Sequence, residues 1–279
     1  MASQVASQIT APLNYLGEMD EAPYSYRYAP PAGVPMTNVR HDPRPQPIHD
    51  GRPLVDELSL DRQGFMLLRS PTMVRDFYDE QEVRAVYYPE IEALAKSVTG
   101  AEKVLIFDHT LRCAALAKRG ERGAREPVRN VHNDYTANSG PQRVRDLLEP
   151  AEAKLRLSRR FAEINVWRPL SGPVLESPLA ICDARTIAPE DLIPNQLRYR
   201  DRNGETYSAR FNPNHRWYYF PRMERDEVVL LKCYDSALDG RARFTIHTAF
   251  DDPTSPPWAP ARESIEARML LFFAATAET

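Results

Sequence analysis

Glycine is scarce in this chain, 11 in 279 residues, and none of the glycines falls into a GxGxxG or GxxxxGK[ST] pattern. Loops that wrap a pyrophosphate or cradle a nucleotide's phosphates use such runs because only glycine lets the backbone come that close. A nicotinamide enzyme, a P-loop enzyme and a Rossmann methyltransferase all lose ground. Cysteine is scarcer still: Cys113, Cys182 and Cys233 are odd in number and far apart, with no CxxC and no disulfide framework, which suits a reducing compartment. Basic charge is not in excess, with 36 Lys+Arg against 39 Asp+Glu, so nothing favours a phosphate backbone and no nucleic-acid partner is expected. No apolar run approaches the ~18 residues of a membrane helix, and the N-terminus has no basic segment leading into an apolar one. A cytoplasmic protein without a membrane partner is the expectation.

Proline, by contrast, is abundant at 25. It clusters before residue 54, in APPAGVPMTN and HDPRPQPIHD, so residues 1–54 read as an extended arm packed on the body, anchored by Tyr15, Tyr24, Tyr26 and Tyr28. Residues 55–279 read as one domain. Between 74 and 98 apolar residues recur at threes and fours, which predicts a helix ending at Thr99-Gly100. A second helical patch, 141–160, is expected to split at Pro150. KVLIFDH (103–109) predicts a buried strand, and from 161 onward short β-branched and aromatic runs dominate. RYRDRNGETYSARF predicts a hairpin with Asn203-Gly204 at its tip. Eight or so strands with helices placed earlier suggest a mainly β fold, a double-sheet barrel of jelly-roll or cupin-like type with helical buttresses.

The chemistry centres on VRNVHNDYTANSG (128–140). Residues two apart on a strand face the same way, so His132 and Asp134 present an imidazole and a carboxylate to one side. His247, in RARFTIHTAF, lies far along the chain, and a closed barrel is expected to bring it across the interior. Two His and one carboxylate make a facial triad with open coordination positions, the pattern of non-haem Fe(II) oxygenases. HxD alone is unspecific; the order HxD, strands, His, Arg strengthens it. Arg262 and Ser264 open the last strand and share a face with Arg268. A planar guanidinium and a hydroxyl are what the far carboxylate of a chelated dicarboxylate requires. The two arginines are six residues apart, roughly 20 Å in an extended strand, so only one can serve. Arg262 is preferred and Arg268 is the alternative.

The chain also resembles the 2-oxoglutarate/Fe(II)-dependent oxygenases that include the cephamycin 7-alpha hydroxylase component, a fungal gibberellin desaturase and a fungal meroterpenoid endoperoxidase. LNYLGEMDEAP (13–23), YPEIEALAKSVTGAEKVLIFDHTLR (88–112), VHNDYT (131–136), HRWYYFPRM (215–223) and IHTAFDDP…RESIEARMLLFF (246–273) carry the resemblance together. It implies a double-stranded β-helix, with His132, Asp134 and His247 as the metal positions. It also implies Fe(II), 2-oxoglutarate and O₂ as cofactor and co-substrates. The expected reaction is hydroxylation or desaturation of a small organic, secondary-metabolite substrate.

Weaker candidates are Asn165, Trp167 and Tyr219 (paired with Tyr218) on strands lining the cavity, and His109 as a pocket residue. Two rival readings stay open: a zinc hydrolase on the same ligands, and a metal-free binding protein. A homodimer, clasped by the Pro-rich arm, is also possible from sequence.

Overall fold

The computed structural model describes residues 7–275. In chain order the strands are β1 (Gln8–Leu16), β2 (Tyr24–Tyr26), β3 (His41–Asp50), β4 (Phe65–Arg69), β5 (Lys103–Arg112), β6 (His132–Asn133) and β7 (Phe161–Pro169). There follow β8 (Leu179–Cys182), β9 (Leu192–Arg198), β10 (Asn203–Ala209), β11 (Trp217–Tyr219), β12 (Glu227–Asp235), β13 (His247–Ala249) and β14 (Ser264–Phe272). They form a large sheet, β1-β3-β11-β8-β13-β6-β10-β9-β2, and a smaller one, β4-β12-β7-β14-β5. The two sheets enclose a common interior, the jelly-roll arrangement expected from the run of short strands.

The small sheet shows how period two divides the core. On β7, Phe161 and Trp167 point into the barrel cluster, while Ala162, Ile164 and Val166 face a second, helix-covered cluster. On β14, Ile265, Ala267, Met269 and Leu271 face the helix side. The helix is α1 (Tyr88–Thr99), preceded by a π turn over Val83–Tyr87 and stopped by Gly100 at φ 69°. Val83, Tyr87, Ile91 and Ala95 stand four apart, each at 0% exposure, and make a single ridge against the sheet. Pro150 separates Ser139–Leu147 from Pro150–Leu157, as its missing N–H requires.

The hairpin forms with a different tip. Asn203 pairs with Arg198, and Tyr199 N–H donates to the Arg202 carbonyl at 2.9 Å, so Arg200-Asp201 make the turn. Asn203 and Gly204 lie inside β10. Cross-strand packing sets this register: Asn195 bonds Ser208 at 3.1 Å, and Arg202 stacks 4.5 Å from the Tyr199 ring.

The Pro-rich arm supplies β1, β2 and β3 of the large sheet. HDPRPQPIHD is a strand despite three prolines because Pro43, Pro45 and Pro47 alternate. Their missing N–H groups therefore fall on one edge, and β11 pairs with β3 only at Ile48–Asp50. A buried relay pins the arm to the barrel. Trp217 Nε1 donates to Tyr15 Oη (2.8 Å), Tyr15 bonds His215 Nδ1 (3.1 Å), and His215 Nε2 bonds Asp191 Oδ2 (3.0 Å). Each group is satisfied when Tyr15 donates to a neutral imidazole and that imidazole donates to Asp191.

Two predictions follow from the relay. Tyr15→Phe strands Trp217 and His215 without their partner and is expected to lower stability by about 1–3 kcal/mol in urea unfolding. Burial depresses the His215 pKa below its usual 6.5, against the opposing pull of Asp191. The unfolded chain then takes up a proton near pH 6.5 that the native state refuses, so this contribution is full above that pH and is lost as pH falls. The metal-free protein is expected to unfold at lower urea at pH 5.5 than at pH 7.5, with a shallower difference in His215→Gln.

Candidate metal centre

β6 is two residues long and lies between β10 and β13. His132 pairs directly with His247 on β13 and with Ser208 on β10, and His247 pairs in turn with Ile181. Residues opposite one another in a ladder share a face, so both imidazoles point into the barrel with ring centroids 4.4 Å apart. His247 is thus the next-door neighbour of His132 in one sheet, rather than its partner across the interior. The sequence separation concealed this because β8–β12 are distributed between both sheets.

Each imidazole is held by its own strand. His132 Nδ1 bonds the Asn130 carbonyl at 2.8 Å, and His247 Nδ1 bonds the Thr245 carbonyl at 3.0 Å. A carbonyl can only accept, so both Nδ1 atoms carry hydrogen and both Nε2 lone pairs are left for a cation. Asp134 leaves the end of β6 with Oδ1 3.6 Å from His132 Nε2. One ligand atom from each of His132, Asp134 and His247 lies within 4.8 Å of the others.

The second carboxylate oxygen of Asp134 is held by the opposite sheet. Asn165 Nδ2 donates to it at 2.8 Å and Arg268 Nε at 3.2 Å. Burial alone would raise the Asp134 pKa, but Arg268, the two imidazoles and Asn165 together hold it well below the carboxylate range. Burial lowers His132 to about 4, helped by His247 and opposed by Asp134. The centre is therefore one anionic and one neutral ligand pointing at the same space as His247, at ordinary pH and without competing protons.

Four of the five N–H donors of Arg268 are engaged. Besides Asp134 it bonds Asp108 (3.0 Å), Thr110 (3.1 Å) and Glu266 (3.5 Å). Arg262 is differently placed. Its guanidinium donates to the Ser177 carbonyl and lies 5.4 Å from the Trp167 ring, but its Nε is buried with no partner among the described residues. Ser264 Oγ, on the same strand face, is likewise buried and unpartnered. Burial, and then repulsion from Arg112, push the Arg262 pKa down to about 9.

The other sequence candidates divide. Asn165 touches Asp134 and Glu266, and Trp167 lies under Arg262. Tyr219 packs on Phe250 in the cluster behind the large sheet, while Tyr218 points inward with Phe65. His109 bonds Tyr88 of α1 at 2.9 Å, on the helix side of β5. A bulge between Arg268 and Met269 in the β14–β5 ladder skips Phe107 and sets the inward face as Asp108, Thr110 and Arg112. That phase could not be read from KVLIFDHTLR, and Arg112 and Glu266 were missed with it.

His132, Asp134 and His247 together inside a jelly roll make a candidate mononuclear metal site of the two-His, one-carboxylate kind. Comparison with known proteins makes the class specific. A family profile described as "YDMC: Oxidoreductase/YMDC permease-like domain" matches residues 13–272. The chain is 37% identical over 262 residues to "Hydroxylase/desaturase efuI" of Hormonema carpetanum, covering 86% of this chain and 87% of that protein. It is 36% identical over 255 residues to "Fe(II)/2-oxoglutarate-dependent dioxygenase nvfI" of Aspergillus novofumigatus (strain IBT 16806), covering 88% and 90%. A solved structure titled "iron and alpha-ketoglutarate-dependent endoperoxidase NvfI" superposes with a TM-score of 0.86 at 32% identity, over 96% of this chain and 98% of that one. The chain belongs to this family of Fe(II)/2-oxoglutarate-dependent hydroxylases, desaturases and endoperoxidases. It is a dioxygenase whose cofactor is Fe(II) and whose co-substrates are 2-oxoglutarate and O₂. The zinc-hydrolase and metal-free readings find no support among these relatives. Among the described residues no helix is long and apolar enough to cross a membrane.

Removing Arg268 would leave Asp134, Asp108 and Glu266 without their shared cation, two of them buried. Arg268→Met is expected to destabilise the metal-free protein by about 3–5 kcal/mol in urea unfolding, because an uncompensated buried charge costs far more than the pair contributes.

Proposed function

We propose that His132, Asp134 and His247 hold Fe(II), and that Arg262 with Ser264 receives the distal carboxylate of 2-oxoglutarate. The observation that carries this reading is the pair of unpartnered buried atoms, Arg262 Nε and Ser264 Oγ. A buried donor left unmade costs about 1–3 kcal/mol, so two such atoms on one strand face are accounted for by an anion that bonds both. Arg268 is less suited to that task because four of its five donors already serve Asp134, Asp108, Thr110 and Glu266, three of these being carboxylates.

When bound, the iron supplies activation of O₂ coupled to oxidative decarboxylation of 2-oxoglutarate to succinate, with oxidation of a substrate C–H bond. The chain's own share is positioning and charge. The Asn130 and Thr245 carbonyls aim the two Nε2 atoms. Asn165 and Arg268 occupy one Asp134 oxygen, leaving the other for the metal and keeping the carboxylate anionic. Arg262 and Ser264 set the distance from the iron at which the co-substrate is gripped, and Trp167 walls the cavity beneath Arg262. The relatives, among them an aspirochlorine biosynthesis protein from Aspergillus oryzae, favour a small secondary metabolite as the oxidised substrate.

Two variants test the assignment. His132→Ala is expected to lose stoichiometric Fe(II) and succinate formation together; unchanged iron content and turnover would sink the ligand set. Arg262→Gln is expected to weaken 2-oxoglutarate binding to the Fe(II) protein by about ten- to a hundredfold, the worth of a lost charged hydrogen bond. It should leave 2-oxopentanoate, which has a methyl group where the distal carboxylate stands, unaffected. The visible charge-transfer band that forms anaerobically on chelation reports both.

A further inference from the structure

Arg112 is unexplained by the metal centre. It lies on β5, the edge strand of the small sheet, and pairs directly with Ser264 on β14. Directly opposed residues share a face, so its side chain enters the barrel at the level of the unpartnered Ser264 Oγ. The side chain is 14% exposed. One guanidinium nitrogen donates to the Glu126 carbonyl at 2.9 Å, while the nearest carboxylate oxygen, on Glu266, stands 3.9 Å from the other.

Arg112 opposite Ser264 and Arg262 two residues before it thus flank one orphaned hydroxyl, and neither guanidinium has a carboxylate within hydrogen-bond distance. Glu266 is already shared with Asn165 (3.1 Å) and Arg268 (3.5 Å). Glu176, the other acid near Arg262, accepts that residue's backbone N–H at 3.2 Å instead of its guanidinium. Burying two like charges side by side is costly and is retained where an anion neutralises both. After burial itself, Arg112 is the largest influence lowering the Arg262 pKa, while on Arg112 the leading charge influence is attraction to Glu266.

We propose that Arg112 is a second guanidinium of the co-substrate site, gripping the distal carboxylate of 2-oxoglutarate from the β5 side while Arg262 grips it from the β14 side, with Ser264 between them. Arg112 is thereby a specificity-determining residue, selecting a dianionic 2-oxo acid over a monoanionic one. The inference rests on the Arg262 reading above and adds a residue that reading does not need.

The test is an anaerobic titration of the Fe(II)-loaded protein with 2-oxoglutarate and, separately, with 2-oxopentanoate, for wild type, Arg112→Gln and Arg262→Gln. Thermal unfolding of each metal-free protein is measured alongside. Arg112→Gln is expected to bind 2-oxoglutarate about ten- to a hundredfold more weakly and 2-oxopentanoate as wild type does. Its metal-free form should keep a single cooperative melting transition. Unchanged 2-oxoglutarate affinity overturns the proposal. So does equal weakening of both acids with a lowered melting temperature, which would mark Arg112 as a structural tie to Glu126. If Arg112→Gln does not fold, Arg112→Lys keeps the charge but loses the planar fork: weaker binding of 2-oxoglutarate alone supports the proposal, and wild-type affinity overturns it. Arg262→Gln separates the two readings. Should it bind 2-oxoglutarate normally, the co-substrate site is elsewhere; should it bind weakly while Arg112→Gln does not, only the inference about Arg112 fails.

Discussion

The contact on which this structure turns is the grip of Asn165 and Arg268 on Asp134. Asp134 leaves the end of a two-residue strand in the large sheet, whereas Asn165 and Arg268 stand on β7 and β14 of the small one. Their hydrogen bonds cross the barrel interior and join the two sheets at the candidate metal site. They also decide which carboxylate oxygen is free and keep the group ionised in a buried setting, where desolvation alone would favour its neutral form. Without that grip, Asp134 would sit at the mouth of a loop with no reason to face the two imidazoles.

The imidazoles need less help. Direct ladder pairing of His132 with His247 places both on the inward face, and each is oriented by a carbonyl two residues earlier on its own chain. Backbone pairing thus places the two candidate imidazole ligands and side-chain contact places the anionic one. The arrangement is rigid because each ligand's non-coordinating atom is already bonded, so binding a cation requires little reordering.

Charge explains the rest of the interior. Along the inward faces of β5 and β14, Asp108, Thr110, Arg112, Ser264, Glu266 and Arg268 replace the apolar residues that fill the same faces further on, such as Leu270 and Phe272. On β14 the alternation that packs the core continues unbroken into the site and only the residue types change, whereas on β5 the bulge at Phe107 shifts it by one residue. At the Arg268 level one guanidinium faces three carboxylates, Asp134, Asp108 and Glu266; at the Ser264 level Arg262 and Arg112 have no carboxylate within hydrogen-bond distance of their guanidinium groups. The charge thus shifts from negative to positive between the candidate metal site and the proposed co-substrate carboxylate site.

Much of this was written in the linear order of residues. Period two placed Phe161, Trp167 and the other β7 side chains on their faces, Gly100 and Pro150 marked helix boundaries, and His132 with Asp134 stood at the spacing that one strand presents to one side. Ser264 beside an arginine was equally visible. Local rules suffice there because each depends on neighbours a few residues apart. Tertiary structure alone decided that His247 is the neighbour of His132 in one sheet, since strand order within a sheet is a long-range choice. It decided which arginine was already spent, because only folding brings Asp108 and Asp134 to Arg268. It also turned a Pro-rich arm into sheet strands through alternation of missing donors along one edge, and the β5 bulge set Arg112 facing inward and His109 facing the helix. Each of these depends on pairing between segments distant in the chain, which no local pattern encodes.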